Sequence, residues 1–331
     1  MIAVFLKRSP LNILLLLLFA VVVKIPLFTA PRLPVPDQQD GELYRSLLDG
    51  LRQTGVGTPL FFSFLSFSFL FVQALLLNFF FSKHKLLNQA TDLPGMSYLL
   101  LTSLFPQWSY WSTPLFMNMA VLYLLFLLFK LYGQSEARSV LFNTGFLIGA
   151  TSFFYPPFLV LILWVLPAVA IMRHFKLQEW MLAIVGLLSP FYFYGIWLFW
   201  NDRWPLQPFL VFTNWVLPSL REMAFWKAGA FFLLLLPLLA GLYQVQDNTR
   251  KMLIQVRRGW TVLFFLLLVT ALMALFQEEA STGWMLGLIP LVFYHACFYL
   301  LTSFRVIPLL FFWLTFFYLL VGQFSGTGWK I

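Results

Sequence analysis

The fold is decided by residues 139–204, which read SVLFNTGFLIGATSFFYPPFLVLILWVLPAVAIMRHFKLQEWMLAIVGLLSPFYFYGIWLFWNDRW. Two apolar segments meet at a Tyr155-Pro156-Pro157 corner, and a third apolar segment ends in Tyr, Trp and Phe side chains. In water such a triplet would aggregate, whereas apolar helices of about this length are stable in a lipid bilayer. The stretch therefore predicts three helices that pack together within a membrane.

The composition extends this prediction to the whole chain. Of the 331 residues, 61% are hydrophobic and only 10% are charged, whereas soluble domains carry about 25% charged residues. We therefore predict an all-α, polytopic transmembrane protein with about eleven crossings. The predicted crossings are residues 11–29, 58–82, 96–110, 112–132, 139–154, 157–172, 179–200, 224–244, 259–277, 283–303 and 306–324.

The charges between these segments predict the orientation. With a cytoplasmic N-terminus, one side receives thirteen cations and four acids, and the other receives seven cations and eight acids. This asymmetry follows the positive-inside rule for a bacterial inner-membrane protein. The cations are spread among short loops without forming a groove-lining cluster, so the net charge of +9 does not indicate nucleic-acid binding.

Three regions are predicted. Residues 1–244 form a membrane core, which includes a periplasmic loop at 30–57 and a periplasmic segment at 201–227. Residues 245–258 form a cytoplasmic loop whose four cations suit anionic lipid headgroups. Residues 259–331 form a C-terminal bundle of three helices.

The periplasmic loop contains the most informative polar sequence. It begins with the proline-rich stretch PRLPVPDQQD and continues with ELYRSLLDGLR, whose spacing predicts a short amphipathic helix at the membrane interface. On that helix, Leu43, Leu47, Leu48 and Leu51 share one face.

The third and fifth predicted crossings, 96–110 and 139–154, are shorter than the bilayer core and end near prolines. Neighbouring protein must shield them, because unpaired backbone cannot face lipid. In the second of these, Gly145 and Gly149 favour close approach of a partner helix. Together these features predict a thinned patch, or hollow, beneath the periplasmic loop.

Two stretches carry a family resemblance. They are SLFPQWSYWSTPLFMNMAVLYLLFLLFKLYG (103–133) and VLFNTGFLIGATSFFYPPFLVLILWVLPAVAIMRHFKLQEWMLAIVGLLSPFYF (140–193). Through them the chain resembles an uncharacterised family of multi-spanning inner-membrane proteins from Bacteroidota, best over residues 1–200. The order of parts is more distantly similar to GT-C type membrane glycosyltransferases, which implies a polyprenyl-phosphate sugar as donor. That similarity implies an acidic element at Asp37, Asp40 and Glu42.

The acids of the loop have two interpretations. Asp37 and Asp40 are candidates for a catalytic base, or for ligands of a divalent cation that bridges a phosphate. Alternatively they belong to a solvated loop, in which Asp40 caps the following helix. The three histidines lie on separate segments and the single cysteine, Cys297, lies in an apolar one, so neither a metal centre nor another cofactor is predicted.

Other residues are candidates for holding the substrate. Arg45, Arg203 and Arg221 are candidates for binding a lipid phosphate, to which a guanidinium is well matched. Arg45 alternatively pairs with acids of its own helix. Trp108 and Tyr155 are candidates for stacking on a sugar, although Trp and Tyr also line membrane interfaces generally. Glu42 is a further candidate for a polar contact with the substrate.

Three classes of function are compatible with this pattern. One is an enzyme acting on a lipid-linked substrate at the periplasmic face. The second is a non-catalytic assembly or scaffold subunit of an envelope machine. The third, less favoured, is a transporter, because buried charges are expected to be essentially absent and the two halves of the chain do not resemble each other. Lys24 is expected to extend to the outer interface.

Overall fold

The computed structural model describes residues 2–87, 89–134, 137–173, 176–202, 225–275, 283–302 and 304–324. These residues form α-helices, short 3-10 turns and loops, with no β-strand among them. The α-helices are α1 (Ile2–Phe5), α2 (Leu11–Val23), α3 (Ile25–Thr29), α4 (Glu42–Gln53), α5 (Pro59–Lys83), α6 (Leu93–Leu101), α7 (Thr113–Lys130), α8 (Arg138–Ser152), α9 (Ile162–Met172), α10 (Leu177–Trp200), α11 (Phe225–Asn248), α12 (Ile254–Leu275), α13 (Leu288–Leu301) and α14 (Val306–Phe324).

Each of the eleven predicted apolar segments overlaps at least one of these helices, and the first, 11–29, contains two, α2 and α3, with a break at Lys24. Six helices are long and apolar enough to cross a membrane, and they span Pro59–Lys83, Thr113–Lys130, Leu177–Trp200, Ala228–Lys251, Ile254–Ala274 and Trp284–Leu301. The chain is therefore an all-helical, multi-pass integral membrane protein. The other segments form shorter helices, so a total of eleven crossings stays a prediction.

The short helix α6 lies at the centre of the bundle. All nine of its residues are buried, and it packs against α5, α13 and α2. At about 1.5 Å per residue it is roughly half as long as the bilayer core. The prediction that neighbouring protein shields this short segment is confirmed. In contrast, α10 exposes many apolar side chains along its length, which is the pattern of a helix that faces lipid.

Close packing of α8 on α10 explains the glycines of the opening stretch. A methyl group on Gly145 would lie 1.9 Å from the carbonyl oxygen of Ala183, and one on Gly149 would lie 2.3 Å from that of Leu187. The glycine of α10 approaches α8 just as closely, since a methyl group on Gly186 would lie 2.3 Å from the carbonyl oxygen of Phe142. The predicted partner helix is thus α10.

The two ends of the bundle are each closed by irregular backbone. At the N-terminal end, where α2 begins, the side chain of Asn12 donates hydrogen bonds to Asp92 Oδ2 (2.9 Å) and to the carbonyl oxygen of Lys7 (2.6 Å). The loop end is the opposite end, where α3 leads into residues 30–57. We use these two names below.

The C-terminal helices pack directly on the rest of the protein. Helix α13 contacts α6 and α11, and α12 contacts α9. Phe312 of α14 lies against Phe19 of α2, with ring centroids 6.2 Å apart. The predicted division between residues 1–244 and 259–331 therefore runs through continuous helix packing.

Helix α4 forms where it was predicted, and Tyr44 is buried beside one edge of its leucine face. Tyr44 and Leu48 are 2% and 0% exposed, whereas Leu43 and Leu47 are 46% and 40% exposed. The predicted leucine face is thus packed on the protein at Leu48 and exposed at Leu43 and Leu47. The helix is rotated so that the Tyr44 ring enters the protein.

Candidate functional site

Residues 31–40 form an extended strap that is tied to the helices at the loop end. The next residue, Gly41, donates its N–H to the carbonyl oxygen of Phe154 at 2.8 Å. A methyl group on Gly41 would lie 2.0 Å from the carbonyl oxygen of Phe153, so only glycine fits this approach. The Tyr155 hydroxyl donates to Gln39 Oε1 at 3.1 Å. The strap is thus fixed to the turn between α8 and α9.

Asp40 forms the second tie. Its carboxylate is buried, accepts the N–H of Asp37 at 2.7 Å, and accepts the hydroxyl of Thr113 at the start of α7. Burial raises the pKa of the Asp40 carboxyl, while the hydrogen bonds from Thr113 and Asp37 and the charge of Arg45 act against that rise. Both oxygens of Asp40 therefore serve to hold the strap.

The phenol of Tyr44 lies beside this tie. It is close to Asp40, Thr113 and Trp111, and burial raises its pKa above the ordinary value for tyrosine. Trp111 and Thr113 are themselves buried. The predicted hollow beneath the loop is therefore filled, within the part of the chain that the structure describes, by these side chains.

Asp37 and Arg45 form the more accessible part of the loop end. Asp37 is partly exposed, and the described residues donate only one hydrogen bond to its carboxylate, from the Gln38 N–H to Oδ1 at 2.6 Å. Arg45 Nη2 donates to the carbonyl oxygens of Asp37 (3.1 Å) and Gln38 (3.3 Å). Its Nε is buried and has no hydrogen-bond partner among the described residues. The carboxylate of Asp37 on the strap and an unused guanidinium donor on α4 thus lie close together.

The other predicted residues have different surroundings. Glu42 is exposed at the start of α4. Trp108 is 1% exposed and its ring packs 4.5 Å from that of Phe105, so neither face is free for a sugar. Tyr155 is 2% exposed. Arg203 and Arg221 lie outside the described residues.

Lys24 is the residue that sequence reasoning placed wrongly. It does not extend to the interface: it is 1% exposed, at the break between α2 and α3. Its Nζ donates to Thr102 Oγ1 and Ser109 Oγ, both at 2.9 Å. The available signal was its position between two apolar helices and two residues before Pro26.

The expectation that buried charges are essentially absent was therefore wrong. Lys24, Asp40, Asp92 and His295 are all buried. His295 Nε2 lies 2.8 Å from the carbonyl oxygen of Leu234 and links α13 to α11. Burial of ionisable groups thus gives no argument against transport, and the ranking of the three classes must rest on the loop end.

The described residues contain no group of three or more His, Cys, Asp or Glu side chains placed to hold a metal ion. At the loop end both carboxylate oxygens of Asp40 accept hydrogen bonds. A divalent cation there would have to rely on Asp37 and on the substrate. No family model, curated protein or solved structure matches the chain, so the proposal below is based on geometry and on the residues themselves.

Proposed function

We propose that the protein acts on a lipid-linked substrate at the periplasmic face of the bacterial inner membrane, and that it transfers a sugar from a polyprenyl phosphate. One observation carries this proposal: the guanidinium of Arg45, whose Nε has no partner among the described residues, is hydrogen-bonded to the backbone of Asp37 and so lies beside the partly exposed carboxylate of that residue. A buried donor without a partner is costly, and a phosphate oxygen would satisfy it once substrate binding opens the contacts that cover it.

The two groups suit the two parts of such a transfer. The Asp37 carboxylate takes the proton of the acceptor hydroxyl as the hydroxyl oxygen forms a bond to the anomeric carbon of the sugar. The bond from that carbon to the phosphate oxygen breaks, and the electron pair leaves with the phosphate. Arg45 stabilises the charge that develops on the departing phosphate. Asp40 keeps both groups in place without touching the substrate.

The test is release of polyprenyl phosphate from a panel of polyprenyl-phosphate hexoses and pentoses by the purified protein in lipid nanodiscs. We expect Asp37→Asn to slow release by about 100-fold or more, because an amide cannot accept the proton. Asp40→Asn is the matched control, since an amide can keep the strap contacts, and its rate should stay within about threefold. Repeating the assay with EDTA tests the divalent cation. No release by the wild type, or equal rates for both variants, refutes the proposal.

The orientation needs its own measurement. Gln38 is exposed on the strap, and Cys297, the one native cysteine, is buried. We expect a Gln38→Cys variant to react with a membrane-impermeant maleimide when only the outer membrane is opened. Lys83→Cys, at the other end of α5, should react only after the inner membrane is opened. The reverse pattern would place the loop end in the cytoplasm and exclude a periplasmic site.

A scaffold subunit is the second candidate. It is favoured by Asp40, whose two oxygens are both used to fix the strap rather than to meet a ligand. A rigid loop end is also a suitable docking surface for another envelope protein. For a scaffold, Asp37→Asn retains both cellular function and cross-linked partners, whereas a variant that displaces the strap loses both.

A further inference from the structure

Lys24 and Asp40 hold the two ends of one segment of the chain. Residues 24–40 include α3 and the strap, and each end is bonded to the same short turn, residues 109–113. At one end Lys24 Nζ donates to Ser109 Oγ at 2.9 Å. At the other end the Thr113 hydroxyl donates to Asp40. Between them the Tyr110 hydroxyl donates to the carbonyl oxygen of Ala30 at 2.9 Å.

The partners of Lys24 are themselves fixed. The Thr102 hydroxyl donates to the carbonyl oxygen of Tyr98 at 2.8 Å, and the Ser109 hydroxyl donates to that of Thr102 at 3.0 Å. Both hydroxyl oxygens are therefore oriented as acceptors for the amine. A lysine amine in an apolar interior is costly unless it is hydrogen-bonded, so these two contacts lock the break between α2 and α3 onto the turn.

From this geometry we infer that Lys24 is the positioning residue of the loop-end site. It fixes where the 109–113 turn lies relative to α2. The position of this turn determines the position of Thr113. Thr113 then holds Asp40, and with it the strap that carries Asp37. Lys24 touches no substrate. The inference deepens the proposed function, because the site that it positions is the one assigned above to the lipid-linked donor.

The experiment is hydrogen–deuterium exchange of the whole protein in lipid nanodiscs, comparing the wild type with Lys24→Met. Methionine keeps the length and removes the amine. We expect amides of residues 31–48 to exchange at least about fivefold faster, since one end of the segment is released. Exchange in α10 and in residues 2–12 should be unchanged. Lys83→Met, which removes an exposed lysine, is the matched control and should alter neither region.

Two results would overturn the inference. One is unchanged exchange in residues 31–48; the other is faster exchange throughout the protein, which indicates a general structural role. If Lys24→Met does not fold, Ser109→Ala removes one acceptor and should give a smaller increase confined to the same residues. A Lys24→Met, Asp40→Ala double variant should exchange little faster than the faster single variant, because Lys24 acts on the strap through the same 109–113 turn that holds Asp40.

Exchange does not depend on turnover, so the two proposals fail separately. If the wild type releases no polyprenyl phosphate but Lys24→Met loosens only residues 31–48, the proposed reaction is wrong and the positioning role stands. If the wild type is active and Lys24→Met leaves exchange and release unchanged, the reaction stands and the positioning role is wrong.

Discussion

The bundle buries one carboxylate at each end, and the two are surrounded differently. At the N-terminal end, Asp92 accepts from Asn12 Nδ2 and from the N–H of Ser9. Asn12 also donates to the carbonyl oxygens of Val4 and Lys7, so this cluster is closed on itself. At the loop end, Asp40 is equally engaged, but an unused guanidinium donor and a partly exposed carboxylate lie next to it.

This difference separates a structural carboxylate from a candidate site. Both acids are buried, and burial raises the pKa of each carboxyl. A raised pKa alone would therefore mark both ends as functional. The hydrogen-bond inventory distinguishes the two clusters: among the described residues, Arg45 Nε beside Asp40 is a buried donor without a partner, whereas no side-chain nitrogen or oxygen of Asn12 or Asp92 is in that position. The predictions that follow test this distinction.

The largest effect is expected from Gly41→Ala, which breaks the loop end alone. The added methyl group would lie 2.0 Å from the carbonyl oxygen of Phe153, so the strap must move, at a cost of about 3 kcal/mol. We expect a lower unfolding temperature, measured by tryptophan fluorescence in detergent, and loss of the activity or docking assigned to this end. Gly50→Ala, within the helix that follows Gly41, is the control, because nothing lies within 4 Å of its added methyl group. Equal effects of the two substitutions would contradict the close approach.

The same residues show which features of the structure could be predicted from the sequence. The location of α4 and the contact between Gly145 and a partner helix could be predicted, because local spacing determines both. The burial of Asp40 could not, since its partner Thr113 is 73 residues away. Lys24 was misplaced for the same reason: its acceptors Thr102 and Ser109 are 78 and 85 residues away. Periodicity identifies an apolar face but does not reveal which distant hydroxyl will meet a charge.

The second prediction compares Asp92→Asn with Asp40→Asn. At position 92 both partners are fixed donors, so an amide must direct its own NH2 at one of them, at a cost of about 2 kcal/mol. At position 40 one partner is the Thr113 hydroxyl, which can turn and accept instead. We therefore expect Asp92→Asn to lower the unfolding temperature clearly and Asp40→Asn to change it little. A larger drop in unfolding temperature for Asp40→Asn than for Asp92→Asn would contradict this difference between the two clusters.

The third prediction concerns the unused donor. Lysine retains the charge of Arg45 but has no counterpart of Nε, so Arg45→Lys should weaken binding of a polyprenyl phosphate by about tenfold. Arg52→Lys is the matched control, since Arg52 also ties the strap, through Nη2 to the carbonyl oxygen of Pro34 at 2.7 Å. Its effect should stay within about twofold. Native mass spectrometry with a lipid phosphate measures both, and equal losses would show that the unused donor has no special role.

The smallest effect is in the pH dependence of stability. Because burial raises the pKa of Asp40 in the folded protein, the folded state binds the proton more tightly than the unfolded state does. The associated stability is fully present below the ordinary aspartate pKa of about 3.9 and is lost as the pH rises through the raised folded value. Relative to Asp40→Asn, the wild type should therefore lose unfolding free energy as the pH rises through that window. Relative to Asp92→Asn, the wild type should likewise lose unfolding free energy as the pH rises. A wild type that gains stability over Asp40→Asn in this range would mean that hydrogen bonds from Thr113 and Asp37 outweigh burial, and that Asp40 is held as an ordinary ionised carboxylate.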